Sequence, residues 1–283
     1  GYRVALGLPA DPRELPRSIK VGELYQRMAG ADGRRFGLVH SPWTRGVHDF
    51  LSMALPPGQR LRVTRDSEVL FPPGTVFVRT FNRYPVGTRL ADGRGAISFE
   101  TRLMVVGNPW GYGASYRWRA PHPTFLDNAE DADLVEEGEL ADVGVSRIMD
   151  QKAKRQVVHS ISWWFPGVDD RWTFQSRNPS YHIPTSTWEL ASLMQVFRLQ
   201  FDPPLPTNAW SVYRTYRSLG EQDASPEEKV RSYLHGSCSI CHQPDGAASG
   251  TFDARLPTPV AATGLIQGVP RSEEHTSELQ SPC

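Results

Sequence analysis

The chain has 283 residues and carries 31 basic and 31 acidic side chains, so its formal net charge at pH 7 is zero. That length accommodates one large domain or two ordinary ones, and the balanced charge excludes a general attraction to nucleic acid or to an anionic membrane surface. No stretch reaches the roughly 18 consecutive apolar residues of a membrane span, so neither a nucleic-acid partner nor a membrane span is expected.

The N-terminal part of the chain predicts β-structure after a short helix at residues 21–28. Strands are predicted where β-branched and aromatic residues follow a turn, or where apolar and polar residues alternate. The predicted strands cover residues 75–81, 97–106, 116–119 and 157–164. Such alternation is typical of half-buried strands in an antiparallel sandwich or barrel. We therefore expect residues 1–185 to form a β-rich, sandwich-like domain in a protein of the α+β class.

The pattern changes after residue 185. Apolar residues at helical spacing predict a helix within residues 188–199, and the proline-rich residues 202–206 predict a linker. Residues 186–222 are therefore expected to be linker and helix.

A helix start follows at Ser225. Serine suits the N-cap, Pro226 suits the first helical position, and Glu228 completes a capping box with Ser225. The predicted helix runs directly into Cys238.

A motif with specific chemistry ends this helix: Cys238 and Cys241 are separated by two residues, and His242 comes next. Two thiols at this spacing can form thioethers with the two vinyl groups of haem, and the adjacent histidine supplies an axial nitrogen to the iron. The motif therefore predicts one covalent haem c held by all three residues, with His242 as the iron ligand. We expect residues 223–270 to be a truncated helical cytochrome c module around this haem.

Two other functions of the cysteine pair stay open. A zinc site needs four ligands, usually with a second Cys/His pair, and only His235 lies near. A thioredoxin-like redox dithiol normally follows a strand and opens a helix, whereas here the helix is predicted before Cys238. The haem interpretation fits both the spacing and the preceding helix better.

The second axial ligand of the iron has no obvious source in the chain, because all five methionines precede the motif. We expect that ligand to lie beyond Pro270, with Met194 or an upstream histidine as alternatives. Residues 271–283 resemble the translation of a sequencing-library adapter, so His275 and Cys283 are expected to be artefactual and without function. A leading segment is also expected to be missing, because the chain does not begin with methionine.

Three further features have both a structural and a functional interpretation. The acidic run at residues 127–142 could bind calcium or a basic partner, but a solvated loop is favoured. Trp163 and Trp164, together with Trp172, could form a sugar-stacking platform, but packing in the core or at a domain interface is favoured. His235 is expected at the haem edge or at the helix end.

Several segments, in the same order, resemble a bacterial family of dihaem c-type cytochromes associated with PQQ-dependent glucose/sorbosone dehydrogenase-like proteins. The similar segments are the Phe-Pro-Pro-Gly-Thr-Val-Phe stretch within residues 71–81, Glu-Thr-Arg-Leu at 100–103, Tyr-Arg-Trp at 116–118, the motif with its lead-in at 231–242, and residues 252–256, 258–259 and 263–266. The family's first CxxCH has no counterpart, because residues 183–193 occupy its place without a cysteine. The resemblance therefore implies a single haem and a redox partner protein, with a PQQ-dependent dehydrogenase as the candidate.

These features predict a bacterial electron carrier, periplasmic or otherwise exported, rather than a catalyst. Two alternatives stay open. The first is a haem-bearing subunit or domain of a PQQ-dependent sugar or alcohol dehydrogenase complex, and the second is a carbohydrate-binding β-sandwich with an appended haem. The sequence contains no nucleophile elbow, P-loop or dinucleotide fingerprint.

Overall fold

The computed structural model describes residues 8–30, 34–36, 47–63, 69–83, 97–107, 111–122, 131–150, 154–170, 204, 217, 221–239, 242–244 and 252–266. This part of the chain is mainly antiparallel β-sheet with two α-helices, α1 (Val21–Gly30) and α2 (Pro226–Cys238). The strands are β1 (Ser18–Lys20), β2 (Arg34–Phe36), β3 (Val47–Ala54), β4 (Arg62–Val63), β5 (Val69–Leu70), β6 (Val76–Arg83), β7 (Ile97–Val105), β8 (Tyr112–His122), β9 (Asp131–Leu134), β10 (Glu139–Asp150) and β11 (Arg155–Phe165). The expected α+β, β-rich class is confirmed at this level.

The chain divides into two compact units. The first comprises Gly1–Gly37, Trp43–Gln59 and Pro72–Arg177, and the second comprises Leu38–Pro42, Arg60–Phe71 and Asn178–Cys283. In the described residues, the first unit contains α1 and nine of the strands, and the second contains α2 and the short hairpin β4–β5. The predicted boundary at residue 185 lies outside the described residues and, like the other predicted boundaries, stays a prediction.

The first unit is built on a seven-stranded sheet with the order β1-β9-β8-β7-β6-β3-β2, in which neighbouring strands are antiparallel. Apolar residues on one face of this sheet, including Val78 and Leu103, pack against Leu24 and Met28 of α1. A hydrogen bond of 2.6 Å between the Tyr25 and Thr80 hydroxyls joins the same helix to β6. The amphipathic helix therefore covers one face of the sheet, as a single apolar stripe requires.

The β10–β11 hairpin covers the opposite face. Ile161 and Phe165 of β11 pack with Val47, Phe81 and Phe99 of the sheet. A register shift in β10 follows Asp142, where Gly144 adopts φ 110°. A Cβ at this glycine would lie 2.8 Å from Cζ of Arg83, so the missing side chain makes room for a guanidinium of the sheet.

The predicted helix at residues 21–28 and the predicted strands are confirmed, each lying within or largely overlapping an observed element. The expectation that β7 is half-buried is wrong in its first half, because residues 98–101 are all buried. The hairpin accounts for this difference, since it covers the face that would otherwise meet solvent. The predicted helix within residues 188–199 lies outside the described residues.

The structure differs from the sequence-based predictions in two regions, the acidic run and residues 47–54. The acidic run was expected to be a solvated loop, but β9 and the first residues of β10 lie within it. Several of its carboxylates are exposed as expected, yet Asp133 and Glu139 pair with Arg119 and Arg117 of β8 at 2.6 and 2.7 Å. Strand β3, which contains the buried Asp49–Arg79 ion pair, was not predicted from the sequence.

Candidate functional site

Helix α2 begins where the sequence predicts. The Ser225 hydroxyl accepts the Glu228 backbone N–H at 3.2 Å, and the Glu228 carboxylate accepts the Ser225 backbone N–H at 2.8 Å. These reciprocal bonds confirm the capping box, with Pro226 at the first helical position. The hydrogen bond from the Ser225 backbone lowers the pKa of Glu228, and the Ser225 hydroxyl acts in the same direction. The cap sets the start of the helix that carries the motif at its other end.

Helical hydrogen bonding continues past the last helical residue, Cys238. The Ser239 N–H donates to the His235 carbonyl at 3.3 Å, and the His242 N–H donates to the Cys238 carbonyl at 2.9 Å. Cys238 and His242 are therefore joined across one hydrogen-bonded turn of the backbone. Both are half-buried. Cys241, the third predicted site residue, lies outside the described residues.

The His242 imidazole has one buried nitrogen. Its Nδ1 atom is inaccessible to solvent and has no hydrogen-bond partner within the described part of the chain. Burial lowers the pKa of His242, which favours the neutral ring that binds metals. The Phe252 ring lies 5.1 Å from the imidazole, centroid to centroid, at an angle of 48°. The side chain is thus held from one side by an aromatic contact.

His235 lies one turn before Cys238 and is buried, with 3% of its surface exposed. Its Nδ1 accepts the Leu256 backbone N–H at 2.8 Å. Burial lowers its pKa to about 3; the positive charges of Arg255 and Arg231 add to this effect, and Asp253 opposes it. The ring is therefore neutral near pH 7, with Nδ1 free of a proton so that it can accept. The expected helix-end position is confirmed, whereas a position at a haem edge stays a prediction.

Residues 252–258, here called the motif loop, are bonded to α2 at several backbone groups. Arg231 Nη2 donates to the Leu256 carbonyl at 2.8 Å and also bonds the Thr258 carbonyl. The Ala254 N–H donates to the His242 carbonyl at 2.9 Å. Together with the bond to His235, these contacts hold the loop along the helix end.

Inside the motif loop, Asp253 organises two neighbours. Its carboxylate pairs with Arg255 at 2.7 Å and accepts the Thr258 hydroxyl at 2.8 Å. Burial opposes ionisation of Asp253, but the hydrogen bonds from Arg255 and Thr258 outweigh it, so the pKa of the carboxyl lies below its usual value. The loop therefore keeps its shape through its own side chains and its position through α2.

The structure places His235 and Cys238 in the last turns of α2 and His242 just after it, as the sequence predicts, and it adds Arg231 and Asp253, to which the sequence pattern assigned no role. One sequence signal could have found Arg231: it precedes His235 by four residues on a predicted helix, and such residues share a face. The signal for Asp253 is also local, because an aspartate can accept the backbone N–H two residues on, as Asp253 does from Arg255 at 3.0 Å.

The tryptophan pair of the first unit divides between two environments. The Trp163 ring lies 4.9 Å from Phe81 and 5.3 Å from Phe99, and its Nε1 donates to Glu100 at 2.5 Å. The expected core packing is therefore confirmed for Trp163. Trp164 points to the other side of β11 and is 37% exposed, while Trp172 lies outside the described residues.

Within the described ranges, no three His, Cys, Asp or Glu side chains are grouped as they would be around a bound metal ion. Among the same residues, neither helix combines the length and the apolar surface needed to cross a lipid bilayer. Comparison with known proteins identifies no relative, since no protein-family model, no curated protein and no solved structure matches the chain.

Proposed function

We propose that the protein transfers single electrons through one covalent haem c attached at Cys238 and Cys241, with His242 as the axial ligand of the iron. The observation that carries this proposal is the placement of the motif: Cys238 and His242 lie one turn apart at the end of a capped helix. The spacing of the two cysteines and the adjacent histidine is that of c-type haem attachment.

The residues present fit such a group. The two thiols would add across the haem vinyl groups to form thioethers, and the buried Nδ1 of His242 leaves Nε2 as the nitrogen for the iron. Burial also favours the neutral imidazole that can bind iron. When bound, the haem supplies reversible one-electron chemistry, and the protein holds it and orients the ligand.

The proposal extends to the surroundings of this site. The second unit would contain a truncated cytochrome c module over residues 223–270, in a protein exported to the bacterial periplasm. Its partner would be a redox protein, with a PQQ-dependent dehydrogenase as the candidate electron donor. The β-rich first unit would serve as scaffold or docking surface, in a sandwich-like arrangement, without catalytic activity of its own.

Covalent haem attachment is the direct test. The full chain, exported in a bacterium that expresses a cytochrome c maturation system, is separated by denaturing electrophoresis and stained for haem. We expect a stained band for the unmodified chain and loss of most stain for Cys238→Ser and for Cys241→Ser. Cys283→Ser is the matched control, because it removes the third cysteine from outside the motif, and it should stain like the parent.

Two outcomes would reject the proposal. An unstained parent chain would show that no haem is covalently attached. Equal staining of Cys238→Ser and Cys283→Ser would show that attachment does not use the motif. If the parent chain is unstained and its Cys238 and Cys241 form a reversible disulfide, the redox dithiol replaces the haem as the function of the pair.

A further inference from the structure

Four side chains with distinct chemistry are spaced along α2 and the residues that follow it. Arg231, His235 and Cys238 are separated by four and three residues, which places them on the same face of α2. The His242 N–H bond to the Cys238 carbonyl joins His242 to the end of this stripe of residues. The first two residues bind the motif loop, and the last two belong to the motif.

Arg231 and His235 both bind the backbone of the loop. Arg231 donates to the carbonyls of Leu256 and Thr258, and His235 accepts the Leu256 N–H. The backbone of Leu256 is thus held at both its N–H and its carbonyl group. Because Leu256 is itself buried, its N–H would lose its acceptor if the His235 imidazole were replaced by an apolar side chain.

The loop in turn contacts His242 at two points. The Ala254 N–H binds the His242 carbonyl, and the Phe252 ring lies against the imidazole. In the part of the chain that the structure describes, His242 Nδ1 has no hydrogen bond that would fix the rotation of the ring. Among the described residues, the aromatic contact with Phe252 is an interaction that can restrain the ring orientation.

We propose that Arg231 and His235 are positioning residues, which set the orientation of the His242 ring by holding the motif loop and, through it, Phe252. This role rests on the proposed function, because the oriented ring is the proposed iron ligand. Ring orientation and hydrogen bonding around a ligating histidine change the reduction potential of its metal. The pair of Arg231 and His235, here called the clamp, would therefore also adjust the reduction potential of the haem.

The test uses the full chain with His235→Leu, His235→Asn and Val230→Ala. Leucine removes the acceptor for the Leu256 N–H, whereas the asparagine Oδ1 can accept it from nearly the same position as Nδ1. Val230 neighbours Arg231 but is exposed, so Val230→Ala is a matched change outside the stripe. A fourth variant, Phe252→Leu, leaves the clamp intact and removes only the aromatic contact.

The first measurement needs no haem. Hydrogen exchange and NMR of the haem-free chain should show that His235→Leu loses protection of the Leu256 amide by about tenfold or more, because a buried N–H is left without its acceptor. The His242 ring resonances should shift as the ring current of Phe252 is lost. Asn at 235 and Ala at 230 should behave like the parent, and Phe252→Leu should shift the ring resonances while Leu256 stays protected.

The second measurement is the reduction potential of the haem-loaded chain. We expect it to shift in His235→Leu and Phe252→Leu and to return towards the parent value in His235→Asn. Unchanged His242 resonances in His235→Leu would overturn the inference, as would an asparagine variant indistinguishable from the leucine variant. A parent chain without covalent haem would instead reject the proposed function, and the haem-free measurement would still decide whether the clamp orients the ring.

Discussion

Two buried ionisable side chains, one in each unit, are accommodated in opposite ways. Glu100 in the sheet of the first unit has no exposed surface, and its carboxylate accepts hydrogen bonds from Arg102, Ser115 and Trp163 at 2.7, 2.5 and 2.5 Å. His235 in the second unit is almost as deeply buried, but it accepts one backbone N–H and is kept neutral by its surroundings. The acid is surrounded by donors, while the base is held without its proton.

The two side chains differ in the sequence separation of the hydrogen-bond partners that stabilise them. The donors to Glu100 lie 2, 15 and 63 residues away, on its own strand, the neighbouring strand and the covering hairpin. His235 Nδ1 accepts the Leu256 N–H, 21 residues on. Burying a charged group requires partners that neutralise it, so Glu100 depends on the assembled sheet. His235 depends on one turn of helix and a neighbouring loop.

The largest expected effect comes from breaking the Glu100 network. Glu100→Gln keeps the size of the side chain but removes its charge, which leaves the largely buried Arg102 guanidinium without its counter-ion. We expect a loss of about 3–5 kcal/mol in the free energy of unfolding of the sheet, measured by urea denaturation followed by tryptophan fluorescence. Glu139→Gln is the control, because it removes a half-exposed partner of Arg117 and should cost at most about 1 kcal/mol. Equal losses would show that Glu100 is not set apart by its burial.

His235 should make stability depend on pH in the opposite sense from a histidine whose pKa is raised in the folded chain by a negatively charged partner. In the folded chain its pKa is lowered to about 3 from an ordinary value of 6.5. Below pH 6.5 the unfolded chain therefore takes up a proton that the folded chain refuses until about pH 3. The contribution of His235 to stability is fully present above pH 6.5 and is lost as the pH falls through this window.

The expected slope is about 1.4 kcal/mol per pH unit within that window. It is measured as the difference in unfolding free energy between the parent chain and His235→Asn, which retains an acceptor but cannot titrate. Subtraction removes the contribution of carboxylates that titrate over the same range. If the two curves ran parallel from pH 6.5 to 4, the burial of a neutral histidine would not be the cause of any acid sensitivity in the second unit.

Two glycines of the first unit adopt positive φ to different degrees. Gly58 has φ 72°, which lies near the left-handed region that L residues can reach, whereas Gly144 has φ 110°. A Cβ at Gly58 meets no atom within 4 Å, and a Cβ at Gly144 would lie 2.8 Å from Cζ at the flexible end of the Arg83 side chain, which would have to shift. We expect Gly58→Ala to cost about 1 kcal/mol and Gly144→Ala about 1–3 kcal/mol, chiefly because of backbone strain. Similar melting temperatures for the two variants would argue against a larger strain at Gly144.

The smallest effect is expected at the helix cap of the second unit. Ser225→Ala removes the acceptor for the Glu228 N–H and should destabilise α2 by about 1 kcal/mol. Ser225→Thr keeps a hydroxyl and should retain most of the stability. The measurement is the exchange rate of the Glu228 amide in the full chain. A change confined to the first turn would show that the cap acts locally, whereas the Glu100 network involves three strands.

The sequence determined the elements whose causes lie within one turn or one strand. The capping box of α2 was predictable because Ser225, Pro226 and Glu228 act on one another through a single helical turn. Strands β6 and β11 were predictable because β-branched residues and alternation mark an extended chain on a buried surface. The spacing of Cys238, Cys241 and His242 likewise defines a candidate site without reference to the fold.

The tertiary structure alone decided which elements pair with one another and which faces of them are buried. The order of the sheet, the strand at Val47–Ala54 and the strands within the acidic run depend on pairing between distant segments, which no local pattern records. Glu100 alternates with apolar residues and therefore reads as solvent-facing, yet the hairpin that covers it turns that face into core. The motif loop shows the same dependence: its backbone groups reach Arg231 and His235 only because the chain turns back along α2.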